Sequence, residues 1–244
     1  NAFVVLAIVA GFFFPPLPQD PLFHDFADKR GILGVPNFWN VVTNFAFVLV
    51  GLLGVHRLAD GPLKGALDEL RLGYLYVFLG MLLVGIGSSY YHLDPTNRTL
   101  LWDRMPLTMA FMAFVSVLVG EHISVAWGHR LLWPLLIAGV ASAVYWYATE
   151  AAGHGDLRPY VIVQFLPMVL IPVVLLLFPS RLSNTGYIWA ILGAYALAKI
   201  LELEDGAVFN ALGGTISGHS LKHLCAALGG YAFLLALQNR HPTE

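Results

Sequence analysis

The chain has 244 residues, 58% of them hydrophobic and 11% charged, with a formal net charge of −2. A soluble globular domain carries roughly 25% charged residues, so this composition excludes an ordinary soluble fold and points to a polytopic membrane protein. The near-neutral balance gives no basic footprint for nucleic acid, and the single cysteine, Cys225, excludes an internal disulfide framework and a cysteine-based zinc site.

Residues 2–14 are apolar but shorter than the ~20 residues that cross a bilayer. With no small-x-small cleavage site before Pro15 they read as a retained amino-terminal helix rather than a cleaved signal, ended by Pro15, Pro16 and Pro18. The stretch 19–37 is a polar loop carrying Asp20, His24, Asp25, Asp28, Lys29 and Arg30. It reads either as a solvated connector or as a hard-cation site, with Asp25, Asp28 and the amide of Asn37 as oxygen donors. It lacks the alternating aspartates and glycine of an EF-hand.

Seven longer apolar segments follow, near 38–57, 71–92, 99–119, 130–149, 158–179, 185–204 and 215–238. Each is long enough to cross ~30 Å of hydrocarbon as a helix, and the short connectors make sequence neighbours antiparallel in space. The lengths of the runs exclude membrane strands. The expected fold is all-α: a seven-transmembrane helix bundle plus an additional amino-terminal helix, a single domain over 1–244. Its parts are the extra helix 1–14, the acidic loop 19–37 and the core 38–238. One face of the membrane holds Arg57, Lys64, Arg71, Arg130, Arg181 and Arg240; the other holds Lys29, Arg30, Arg98 and Arg158. The positive-inside rule puts the first face in the cytoplasm.

The polar candidates all fall on the second, exoplasmic face. His219 and His223 are four apart at the start of the last segment, so one helix face presents both. Two imidazoles rarely complete a zinc site, and His92, at the end of the second long segment, is the candidate third ligand. Ser88 lies one turn before His92, and Asp103 eleven residues after it. An Asp in mid-helix costs ~2.5–3.5 kcal/mol to insert, so Asp103 needs a partner; Arg104 beside it reads as snorkelling to the interface. Three histidines with an open fourth position are the catalytic form of zinc, which would acidify a water and polarise a carbonyl. Asp103 could move the proton of that water, or hold a ligand imidazole. Ser88 could stabilise an oxyanion, or bond its own helix backbone. Trp102, Tyr90, Tyr91, Tyr145 and Trp146 read as interfacial anchors. Lys199, Glu202 and Glu204 read as pairing with one another or facing a polar entrance.

Ser88-x-x-x-His92, then Asp103, then His219-x-x-x-His223 resembles the alkaline ceramidases, within the membrane hydrolase superfamily that includes the adiponectin receptors and the Per1 proteins. Asn37-Phe38-Trp39-Asn40-Val41-Val42-Thr43-Asn44 resembles the motif that opens their first helix. The resemblance spans roughly 20–235. It implies zinc on His92, His219 and His223, with Asp103 and Ser88 at the site. The implied reaction is hydrolysis of a long-chain amide, such as ceramide, to fatty acid and amine by a zinc-activated water. It also implies calcium in the amino-terminal loop, where Asp25, Phe26, Asp28 and Asn37 fall near the matching places. There Asn37 replaces a family glutamate, and Lys29-Arg30 stand where acidic and amide residues are usual. The extra helix looks more like the bacterial relatives, which implies a bacterial inner membrane with the site on the periplasmic side. Two other classes compete. One is a receptor-like or binding protein with structural zinc, which needs no base; the other is a retinal protein using Lys222, with Asp103 as counter-ion.

Overall fold

The computed structural model describes residues 11–243. Its helices are α1 (Phe38–Val42), α2 (Phe45–Ala59), α3 (Arg71–Leu93), α4 (Asn97–His122), α5 (Val125–Ala151), α6 (Arg158–Leu177), α7 (Gly186–Leu203), α8 (Asp205–Ala211) and α9 (Gly218–Asn239). Seven spans are long and apolar enough to cross a membrane, the first formed by α1 and α2 together. The all-α polytopic bundle is therefore as expected. Most of the predicted helix 1–14 lies outside the described residues. Residues 11–13 are helical and lie along α6, where Arg158 donates to the carbonyls of Phe12 and Phe14.

Helix boundaries differ from the hydropathy pattern where packing or a cap decides. α5 begins at Val125 rather than near 130, through the polar run Trp127-Gly128-His129-Arg130. Gly128 rests on the backbone of α4, where an added Cβ would lie 2.5 Å from Gly120 Cα, and Ser116 Oγ donates to its carbonyl at 2.7 Å. α9 begins at Gly218 rather than 215 because Ser217 caps it, accepting from Ser220 N at 3.2 Å. The short helix α8 was not expected.

Lipid offers helices no hydrophobic reason to associate, so close contact depends on small residues. Gly73, Gly80 and Gly87 recur every seven residues along α3 and face Val117, Ala110 and Trp102 of the antiparallel α4. At the last of these, Pro106 has no N–H to give the Trp102 carbonyl, and that oxygen packs against Gly87, where a Cβ would collide with it. The backbones of the two helices thus lie close together next to Ser88 and Asp103.

Around the bundle α7 packs on α9, α9 on α2, α2 on α3, α3 on α4, α4 on α5, and α6 on both α4 and α5. Among the described residues the backbones of α6 and α7 barely approach each other, and side chains span the space between them, with Lys199 over the Phe165 ring at 5.5 Å.

At the end of the bundle away from the histidines, Arg240 pairs bidentately with Glu121 at 2.9 Å, both side chains fully buried. Tyr74 Oη donates to Glu121 at 2.8 Å, and Arg240 Nη2 reaches the Gly65 carbonyl at 3.2 Å. Glu121→Ala would leave the Arg240 charge uncompensated, at an expected cost of ~3–5 kcal/mol. Unfolding in detergent measures this; a loss near that of a surface substitution would contradict it.

Candidate metal centre and cavity

His92, His219 and His223 come together at one end of the bundle. Their candidate ligand nitrogens lie within 4.8 Å of one another, their ring centroids are 5.0–5.1 Å apart, and all are at most 5% exposed. His92 Nδ1 and His219 Nε2 are buried with no hydrogen-bond partner among the described residues. Buried unpaired nitrogens are costly, and a shared cation removes that cost. The donor set is three imidazoles with no carboxylate or thiolate, which suits zinc.

The third histidine is already oriented for such a role. Thr43 Oγ1 donates its one proton to the Trp39 carbonyl at 2.7 Å. It therefore accepts from His223 Nδ1–H at 2.9 Å, which leaves the lone pair on Nε2. Asn37 holds the end of α3, donating to the His92 carbonyl at 2.8 Å from a left-handed φ of 46° that asparagine tolerates. Asp205, in α8, accepts from His219 N at 2.7 Å and from Ala27 N at 2.9 Å. One carboxylate thus joins the amino-terminal loop to the helix bearing two of the histidines. Asn40 repeats the pattern, accepting from Ser220 Oγ at 2.6 Å and donating to the Asp28 carbonyl. Phe26, 4% exposed, lies over the cluster with its ring 4.7 Å from His92 and 4.6 Å from His219.

A cavity of about 460 Å³ runs from His219 and His223 into the bundle. Ser88, Asp103 and Tyr91 line its polar end, and Phe47, Val77, Met81, Phe114 and Phe233 line its apolar depth. Residues of α6 and α7 form one of its walls. Sequence reasoning grouped the histidines, Ser88 and Asp103, and all reach this one place. It gave Thr43, Asn40 and Asp205 no role at the histidines, and placed Phe26 only in the calcium loop. Asn37, Asn40 and Thr43 recur at three-residue spacing in a helix opening, and that polar stripe was the available signal for two of them.

Other expectations are corrected. Arg104 does not snorkel: it is 4% exposed, stacked over Trp146 and Tyr160 at 4.0 and 4.6 Å. Tyr91 and Trp146 are core residues rather than interfacial anchors, while Trp102, Tyr90 and Tyr145 are exposed as expected. Glu202 pairs with both Lys199 and Lys222, and Glu204 is exposed. Lys222, the residue a retinal protein would use, has its ammonium in this ion pair.

The two carboxylates proposed for calcium are engaged by cations of the loop itself. Asp28 is held by Arg30 through a bidentate pair at 2.8 and 2.6 Å, and Asp25 pairs with Lys29. Next to Asp28 an internal guanidinium supplies the positive charge. Burial pushes the Asp28 carboxyl up, but hydrogen bonds from the Arg30 side chain and backbone, with its charge, outweigh this and hold it below its ordinary value of 3.8. A depressed carboxyl stabilises the fold above its unfolded pKa and loses that contribution as pH falls through the folded one. Backbone amides of the loop are thus expected to stay protected from hydrogen exchange at pH 5 to 7. They should lose protection only below 3.8; loss beginning near pH 6 would contradict it.

A family model described as Ceramidase matches residues 34–178. The chain is also 23% identical over 214 residues to a mouse protein named alkaline ceramidase 3, covering 83% of this chain and 77% of the relative.

Proposed function

Because the chain belongs to the ceramidase family, we propose that it is an integral membrane amidase that hydrolyses the N-acyl amide of ceramide or a related lipid to fatty acid and amine. The observation that carries this reading is the buried imidazole trio with unpartnered nitrogens, at the polar end of an apolar cavity that Asp103 and Ser88 also line. The whole chain acts as one domain, with loop 19–37 covering the site. The distribution of basic residues favours the site on the exoplasmic side, and the extra amino-terminal helix favours a bacterial inner membrane, where that side is the periplasm.

His92, His219 and His223 would hold zinc, which supplies Lewis acidity at the amide carbonyl. No step runs through calcium. Asp103 is the general base and acid: its carboxylate takes a proton from the attacking water, a C–O bond forms at the acyl carbon, and the C–N bond breaks as the proton passes to the amine nitrogen. Ser88 donates to the oxygen that gains charge. Thr43 keeps His223 in the tautomer that a metal requires. Phe26 and the loop keep bulk water from the reacting atoms, and the deep apolar wall takes the acyl chain. The test is mass spectrometry of lipids incubated with purified protein, with and without a chelator. Chelator-sensitive release of free fatty acid and amine is expected; the absence of any cleaved amide would overturn the reading.

A further inference from the structure

The cavity carries a cation that amide hydrolysis does not use. Arg104 lies on α4 next to Asp103, lines the same cavity as His219 and His223, and is 4% exposed. Its guanidinium sits among the rings of Trp146, Tyr160 and Phe23, 4.0, 4.6 and 5.4 Å away. Nη2 donates to the neutral amide of Gln19 at 2.6 Å, and Nη1 has no partner among the described residues. Lys199 and Lys222 line the cavity too, sharing the single carboxylate of Glu202. Against Arg104, Lys199 and Lys222 stand Asp103, Glu202 and, exposed at the mouth, Asp20, before the charge of any metal is added.

A buried ionisable group in a membrane helix is costly, and one that faces a cavity marks a ligand path. The aromatic cage fixes the guanidinium plane, and the free edge of that plane matches an oxyanion. A ceramide headgroup carries only hydroxyls and would offer no anion to the unpartnered Nη1 of Arg104.

Resting on the amidase reading, the geometry points to a substrate whose amine part bears an anion, with Arg104 as the residue that selects it. The substrate class is an N-acyl lipid with a carboxylate, phosphate or sulfonate beside or near the scissile amide. The rival explanation is that Arg104 merely balances Asp103. In that case its loss would weaken anionic and neutral lipids alike.

The test uses two matched pairs: N-hexadecanoylglycine against N-hexadecanoylethanolamine, and ceramide 1-phosphate against ceramide. Relative kcat/KM is measured on the zinc-loaded protein, and relative binding by thermal stabilisation of the metal-free protein in a neutral detergent. At least one anionic member should be preferred by roughly 10- to 100-fold, the range for a hydrogen-bonded charge. The preferred pair tells a carboxylate from a phosphate. Arg104→Gln should bring that ratio close to unity by raising KM for the anion alone, and Arg104→Lys should keep part of it. Equal use of both members by the wild-type protein overturns the inference whether or not any variant folds, as does a ratio that survives Arg104→Gln. Failure to cleave either member would count against the amidase reading instead, and the binding arm still decides the anion.

Discussion

His219→Ala is expected to remove bound zinc and abolish amide cleavage together. Its imidazole is one of three buried groups whose nitrogens lie within 4.8 Å of each other, and two remaining ligands hold zinc poorly. The loss should exceed the roughly 10- to 100-fold typical of removing an outer partner. Thr43→Val supplies that comparison, because it removes the hydroxyl that accepts from His223 and leaves all three imidazoles. Metal content by elemental analysis and turnover on an amide lipid measure both. A His219→Ala protein that kept its zinc and its activity would sink the assignment of the trio as the metal centre.

Asp103→Asn should separate binding from chemistry. The amide has the shape of the carboxylate but cannot accept and return a proton, so turnover should fall by roughly 10²–10⁴-fold. Asp103 is not among the three clustered ligands, so zinc content should be unchanged. Substrate affinity should also hold, because the apolar wall and Arg104 are untouched. Full activity in this variant would revive the view that the metal is structural. Loss of zinc along with activity would recast Asp103 as a ligand or as support for one.

The sequence made the histidines legible because two lie on one helical face and the third ends a segment whose depth follows from counting spans. The same counting placed Ser88 and Asp103. What it could not supply is which way a side chain turns on an all-apolar helix. Arg104 next to Asp103 looks like a residue reaching for the headgroups, and only the packing of Trp146 and Tyr160 beneath it turns it inward. Tyr91 and Trp146 were misjudged for the same reason: an aromatic near a helix end is an anchor or a core residue depending on the neighbouring helix. Asp205 left no local trace, since its partners His219 and Ala27 are 14 and 178 residues away. The loop 19–37 looked like a cation site because its carboxylates are visible in one dimension. Their pairing with Lys29 and Arg30 is visible only in three.

The sparse backbone contact between α6 and α7 among the described residues bears on acyl-length selectivity. A tail that slides in sideways never leaves hydrocarbon, so it avoids the ~0.8 kcal/mol that each methylene would cost in water. Any portion too long for the chamber could pass between the side chains of α6 and α7 among neighbouring lipids. Homologues differing only in carbon number beyond the chamber's depth should therefore be consumed at nearly equal rates, leaving discrimination to the polar half of the molecule.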